Sequence, residues 1–114
     1  DHPERYAAAF AARPRAERPT ALLVSSDGPA VDLLHALLAA GIRVPEEVSV
    51  TGFDGRTWGQ SSVPPLTSWH VDWLELGRQA VRLLADTVAG HAGSTRMLIG
   101  GSLQVRASTG APPS

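Results

Sequence analysis

Residues 42–54 read IRVPEEVSVTGFD, and this stretch decides the fold class of the chain. It follows Gly41, a residue type that commonly ends helices, and its strand-forming run VSVTGF leads directly to Asp54. The strand therefore delivers a carboxylate to its carboxyl end, which is where ligands bind in open parallel sheets. We interpret the stretch as a helix exit followed by a core strand that ends at a binding site.

The segments before this strand predict a βαβ unit. Residues 20–25 (TALLVS) form a short apolar run that is typical of a strand buried on both faces. Residues 26–29 (SDGP) carry helix-start signals, and residues 30–40 have apolar side chains at helical spacing. A strand, a helix and a strand in this order predict a parallel pair joined by a crossover, and hence an α/β fold.

Shorter elements account for the rest of the chain. Two further helices are predicted, at residues 5–13 and 72–89, and three further short strands, at residues 66–69, 96–99 and 103–108. The helix at 72–89 is strongly amphipathic, and Asp72 and Glu75 at its start have capping-box spacing. We expect residues 111–114 to be a disordered tail.

The composition excludes several classes of protein. The chain has 114 residues, a formal net charge of −1 and no basic block, so it lacks the charged surface expected of a nucleic-acid-binding domain. It has no cysteine and no apolar run long enough to span a membrane, and we expect a cytoplasmic location. Its four histidines are scattered, so we expect no metal site, and no motif indicates a cofactor. Because the chain starts at Asp1 without a methionine, we expect a fragment.

Polar side chains follow the predicted strands at one edge of the sheet. The ligand-binding candidates are Asp54, Ser26, Asp27 and Arg56, whose groups suit sugar hydroxyls or nucleobase edges. Each has an alternative role: Asp27 as a helix cap, Ser26 in satisfying its turn, Asp54 in an Asx-turn and Arg56 as a solvated side chain. An enzyme that uses Asp27 and Asp54 would lack a nucleophile, so a hydrolase is only a remote alternative.

The three tryptophans differ in their expected environment. Trp73 fits the apolar stripe of a helix and Trp69 alternates with Thr67 in a strand, so both are expected in the core. Trp58 follows Arg56 in a polar loop, where a tryptophan indicates a ligand face or a subunit interface.

Several motifs in order resemble the lactose-repressor/galactose-repressor family of bacterial transcription regulators. They are PTALLVSSD, LLAAGIRVPEEVSVTGFD, VPPLTS, DWLELGRQAVRLLADTVAG and LQVRASTG, and they extend over almost the whole chain. Members of this family have an N-terminal helix-turn-helix DNA reader and a two-lobed effector domain with a periplasmic-binding-protein-like fold. The resemblance implies that this chain is an incomplete, C-terminal part of the effector domain, reaching operator DNA only through a missing N-terminal domain.

The resemblance also implies a division of the chain into lobes. Residues 1–70 and 101–110 would form the C-terminal lobe, whereas the helix and strand in residues 71–100 would belong to the mostly absent N-terminal lobe. The helix at 72–89 would then have an apolar face without its native sheet. We expect this helix to dock elsewhere, to swap with a partner chain or to be poorly ordered.

Finally, the resemblance implies roles for individual residues. Asp54 and Ser26 match effector-contacting positions of the family, although Ser26 replaces an asparagine and Val71 replaces a frequent glutamine. Dimerisation in the family implies four interface candidates: Val31, Leu34, His35 and Trp58. The predicted function is effector binding and homodimerisation within a transcriptional regulator, and the alternative is a periplasmic-type solute-binding protein of a transport system.

Overall fold

The computed structural model describes residues 2–91, 93 and 96–113. The strands are β1 (Ala21–Leu23), β2 (Ser49–Asp54), β3 (Thr67–Val71) and β4 (Gly101–Gln104), and the helices are α1 (Pro3–Ala12), α2 (Asp27–Ala39), α3 (Thr57–Ser61) and α4 (Trp73–Val88). The four strands form one sheet in the order β1-β2-β3-β4, in which β1 pairs with β2 and β2 with β3 in parallel. The predicted α/β fold with a parallel βαβ unit is confirmed.

The chain divides into two compact units. The first consists of Asp1–His70 with Leu103–Ser114, and the second of Val71–Ser102. The assignment of these units to the C-terminal and N-terminal lobes of a larger effector domain stays a prediction. Residues 111–113 have no regular secondary structure and are exposed, and the last residue of the predicted disordered tail lies outside the described residues.

One hydrophobic core holds the first unit together. It forms because α1 and α2 turn their apolar side chains toward one face of the sheet. The buried members are Ala7 and Phe10 of α1, Ala30, Leu34 and Leu37 of α2, and Ile42, Val44, Val48, Val50 and Leu66 from the strands and their approaches.

In the described part of the chain, the opposite face of this sheet is exposed near the carboxyl ends of its strands. Phe53 and Trp69 are paired in register on adjacent strands and therefore lie on the same face, where they are 44% and 39% exposed. Leu23, on the same face, is 85% exposed. The predictions that residues 20–25 are buried on both faces and that Trp69 belongs to the core are therefore wrong, because α1 and α2 cover only the other face.

The end of α2 explains why a glycine is required at residue 41. Gly41 has φ +77°, and its N–H donates to the carbonyl oxygen of Leu38 at 3.0 Å. The N–H of Ile42 donates to the carbonyl oxygen of Leu37, also at 3.0 Å. This pair of bonds is the Schellman motif, which turns the chain from α2 toward β2.

The second unit is built on α4. Its start is capped as predicted, because the side chain of Asp72 accepts a 2.9 Å hydrogen bond from the N–H of Glu75. The helix has no buried residue, and Trp73, which was predicted to be in the core, is 42% exposed. Met97 and Ile99 instead line, with residues of α4, a concavity of about 310 Å³.

Two strand predictions are wrong: one strand is absent and the other lies at different residues. Residues 96–99 form no strand, and three of them, Arg96, Met97 and Ile99, line the concavity beside α4. The strand predicted at 103–108 lies at Gly101–Gln104. Its predicted end does not form a ladder because Ser108 bonds two strands at once, accepting from the N–H of Val50 through its carbonyl oxygen and from the N–H of Thr67 through its hydroxyl.

Among the residues described, no helix has the length and apolar character needed to cross a membrane.

Candidate functional site

The ends of the first three strands meet at one edge of the sheet, as the parallel order requires. Ser26 and Asp27 follow β1, Asp54 ends β2, and His70 lies beside Asp54 as its register partner in β3. Asp54, Ser26 and His70 are each partly exposed, whereas Asp27 has no exposed surface. The predicted residues are thus brought to the same region, but not with equal access to solvent.

The carboxylate of Asp27 is fully engaged inside the chain. Its Oδ2 accepts from the backbone N–H of Arg56 at 2.5 Å, and its Oδ1 accepts from the hydroxyl of Ser68 at 2.5 Å. Because the residue is completely buried, a ligand has no access to it. The structure therefore corrects our prediction that Asp27 contacts a ligand. It lies in the first turn of α2, where a negative charge is favourable, but its hydrogen bonds go to other elements.

Ser68 is the functional candidate that sequence reasoning missed. It is completely buried, and its hydroxyl accepts from the N–H of Gly55 at 3.2 Å while donating to Asp27. The sequence offered one indirect signal, Gly52. A glycine inside a strand often marks a place where other atoms approach the backbone closely. A Cβ at residue 52 would collide with the Asp27 carboxylate, and one at Gly59 would lie 3.2 Å from its Oδ2.

Asp54 lies in an unusual backbone conformation at the end of β2. Its φ is +107°, a value that non-glycine residues rarely adopt and that is commonly found at functional sites. Gly55 follows with φ +70°, and a side chain there would collide with His70. The turn therefore projects the Asp54 carboxylate from the strand end in a direction that an ordinary extended residue would not give it.

Ser26 precedes α2 and Arg56 follows the turn, and their side chains have different environments. Ser26 is the N-terminal flanking residue of α2, but its side chain does not cap the helix. The side chain of Arg56 is exposed, and its guanidinium carbon lies 5.7 Å from the ring centre of Trp58, within range of a cation–π interaction. The Arg56 side chain is therefore held near an aromatic face, an arrangement that neither sequence alternative anticipated.

The four predicted interface residues do not share one environment. His35 and Trp58 are exposed, and Val31 is half-buried against the core. Leu34 has no exposed surface, because it packs in the core between α2 and the sheet. The structure corrects our prediction for Leu34, whose side chain is not available to a partner.

The described residues contain no group of three or more histidine, aspartate, glutamate or cysteine side chains arranged to hold a metal ion. A concavity of about 680 Å³ is lined by residues of α1 and α2 together with Val24, which follows β1, and its lining does not include Ser26, Asp54 or His70. The strand-end groups are a carboxylate, a hydroxyl and an imidazole, each of which can form hydrogen bonds with a polar molecule. This arrangement is suited to recognising a polar molecule.

Comparison with known proteins identifies the type of domain. The profile of the periplasmic binding protein-like domain matches residues 2–109. The chain belongs to this family. Membership of this family agrees with the parallel sheet, and the predicted resemblance to the lactose-repressor/galactose-repressor family is confirmed by the relatives below.

Three relatives of this periplasmic binding protein-like domain are transcriptional regulators. The HTH-type transcriptional repressor CytR of Escherichia coli K12 is 40% identical over 96 residues, which are 83% of this chain and 28% of the repressor. A LacI family regulator of Arthrobacter sp. FB24, in complex with lactose, is 34% identical with a TM-score of 0.81 over 95% of this chain and 41% of the other. The lac repressor dimer bound to operator and the anti-inducer ONPF is 34% identical with a TM-score of 0.78, over 82% and 32% respectively.

The chain covers only part of the length of each relative. The chain spans 28% of the length of the curated repressor, and 41% and 32% of the two solved structures. The similarity therefore concerns part of each relative, and the family profile over residues 2–109 includes the β2 strand that carries Asp54.

Proposed function

We propose that this chain is the effector-binding and dimerisation part of a bacterial DNA-binding transcriptional regulator. The effector is a sugar or another small polar molecule such as a nucleobase. The chain itself catalyses no reaction, acts in the cytoplasm and reaches operator DNA only through a helix-turn-helix outside these 114 residues. The observation that carries the proposal is the similarity, over 95% of this chain, to a LacI family regulator in complex with lactose.

Asp54 is the principal effector-binding residue in this proposal. It is partly exposed, ends a core strand and lies beside the similarly placed His70. A carboxylate can accept hydrogen bonds from two neighbouring hydroxyl groups, and a ligand that lacks these hydroxyls loses both bonds. Ser26 and the Arg56 side chain are additional contacts on either side. Asp27 is removed from the set because it is buried.

The chain forms one wall of the site, and effector binding shifts the populations of two arrangements of the complete domain. Homodimerisation supplies paired DNA readers, with the exposed His35 and Trp58 and the half-buried Val31 as contact candidates. The relatives named above are repressors and regulators, which favours this function over a receptor of a transport system.

The test is calorimetric titration of the natural full-length protein with a fixed panel: lactose, glucose, sucrose, cellobiose, adenine and guanine. We expect one panel member to bind saturably and Asp54→Ala to weaken that binding about tenfold or more, as expected for a charged hydrogen-bonding partner. Ser61→Ala, an exposed change in α3, is the control and should bind like wild type. Absence of binding to every panel member, or unchanged affinity in Asp54→Ala, would contradict the proposal.

A further inference from the structure

The turn after β2 needs support from its surroundings. Asp54 at φ +107° is in a region that L-residues avoid, and such a conformation persists only where neighbouring structure fixes it. The two backbone N–H groups that follow, on Gly55 and Arg56, point inward to side-chain acceptors.

Two buried side chains form a connected set of hydrogen bonds beneath this turn. The N–H of Gly55 donates to the hydroxyl of Ser68 at 3.2 Å, and that hydroxyl donates to Asp27 Oδ1 at 2.5 Å. The N–H of Arg56 donates to the other oxygen of the same carboxylate at 2.5 Å. Both consecutive N–H groups are thereby tied, directly or through one hydroxyl, to a single carboxylate.

The single hydroxyl proton of Ser68 decides which group donates in each of these bonds. Ser68 has one hydroxyl proton, and its other acceptor, the carbonyl oxygen of Trp69, is 3.5 Å away, so the proton goes to Asp27. Ser68 and Asp27 have no exposed surface, and hydrogen bonds to a charged group are strong where water is excluded. The space for the carboxylate exists because Gly52 has no side chain to fill it.

We infer that Asp27 and Ser68 are positioning residues that hold the turn at Asp54 in its left-handed conformation and thereby aim the Asp54 carboxylate at the effector. The inference rests on the proposed function for the role of Asp54. Neither Asp27 nor Ser68 touches the effector, because neither reaches the surface. Their effect on affinity passes entirely through Asp54.

The first experiment measures the turn without any ligand. Hydrogen exchange of peptides that cover residues 54–56 is followed by mass spectrometry in the natural full-length protein. We expect exchange to be about tenfold faster in Ser68→Ala, and faster still in Asp27→Asn, whose amide cannot accept at both positions. The matched controls are Ser61→Ala and Asp32→Asn, an exposed aspartate of the same helix as Asp27. Exchange in Ser68→Ala equal to that in the controls would overturn the inference.

The second experiment is a double-mutant cycle on affinity for the sugar or nucleobase of the panel that binds. Ser68→Ala is expected to weaken binding about five- to tenfold in the wild-type background and to have no further effect when Asp54→Ala is present. A merely structural role would give the same loss in both backgrounds, and that result would overturn the inference.

The two proposals fail in different ways. If Asp54→Ala leaves affinity unchanged, the assigned effector site is wrong, whereas the exchange measurement still decides whether Asp27 and Ser68 hold the turn. If Asp54→Ala weakens binding but Ser68→Ala acts equally in both backgrounds, the effector site stands and the positioning role is wrong.

Discussion

The hydroxyl of Ser108 donates a 2.6 Å hydrogen bond to the carbonyl oxygen of Val50, 58 residues earlier in the chain. The same hydroxyl accepts from the N–H of Thr67 at 2.8 Å, so one side chain near the C-terminus joins β2 and β3. All three residues are buried. The C-terminal segment is therefore part of the core structure of the first unit.

Ser108→Ala is expected to lower the free energy of unfolding by about 1–3 kcal/mol, because it leaves buried backbone groups without their partner. Urea unfolding followed by circular dichroism measures this change. Ser61→Ala removes an exposed hydroxyl and should change the free energy of unfolding little. Equal stability of the two variants would show that the Ser108 bonds do not contribute.

The glycine at the end of α2 gives a prediction with a matched control. Gly41→Ala should destabilise the chain by about 1–2 kcal/mol, because a Cβ is unfavourable at φ +77°. Gly28→Ala, inside the same helix, should be neutral or stabilising by up to about 1 kcal/mol. A Cβ would meet no atom within 4 Å at either position, so the comparison isolates the backbone effect. Thermal unfolding of both variants measures the change in stability. Destabilisation of a similar size in both would contradict the prediction.

Glu47 makes the stability of the first unit depend on pH. Hydrogen bonds from the backbone N–H and then the side chain of Arg43 hold the pKa of the Glu47 carboxyl below its ordinary value of 4.5, with a smaller contribution from the charge of Arg15. Because the folded-state pKa is the lower one, the stabilisation is present above 4.5 and is lost as pH falls through the lowered value.

Glu47→Gln should therefore have a lower melting temperature than the wild type near neutral pH. At acid pH the wild type loses this stabilisation, so the difference in melting temperature should disappear. The melting temperatures of both proteins, measured from neutral pH to below 4.5, should converge as pH falls. Glu46→Gln, a change at the exposed neighbouring residue, is the control. A constant difference between wild type and Glu47→Gln at all pH values would be evidence against this linkage.

The contrast between Leu34 and His35 separates folding from association. Leu34→Ala removes a completely buried side chain and should cost about 2–5 kcal/mol of stability. His35→Ala, at an exposed position, should change stability by less than about 0.5 kcal/mol. In the natural full-length protein, His35→Ala should weaken the proposed homodimer, as measured by sedimentation equilibrium. Unchanged association in His35→Ala would remove that residue from the proposed interface.

Local sequence signals were sufficient for the elements that depend on neighbouring residues. The helix end at Gly41, the cap at Asp72 and the parallel pairing of β1 with β2 follow from signals within a few residues or from the order of elements. These features require no knowledge of distant contacts, and the sequence predicted each of them.

Features that depend on contacts between distant residues were not predictable in this way. Ser68 carries no local signal of its role, because its partner Asp27 lies 41 residues earlier. Asp27 resembled a helix cap or a ligand contact, since both expectations considered only its own turn. The family resemblance placed Leu34 at a subunit interface. Its burial in the core depends instead on how α2 packs on the sheet. The strand predicted at 96–99 failed because short apolar runs do not specify whether they join a sheet or pack on a helix.

The open face of the sheet has an optical consequence. The three tryptophans, Trp58, Trp69 and Trp73, are all described and all more than one third exposed, so the chain by itself should fluoresce as indole rings in contact with water do. Any segment that covers Trp69 should shift that emission to shorter wavelength and shield it from soluble quenchers. Trp69, beside Phe53, is thus an intrinsic spectroscopic probe for the binding of any segment or partner to this part of the sheet.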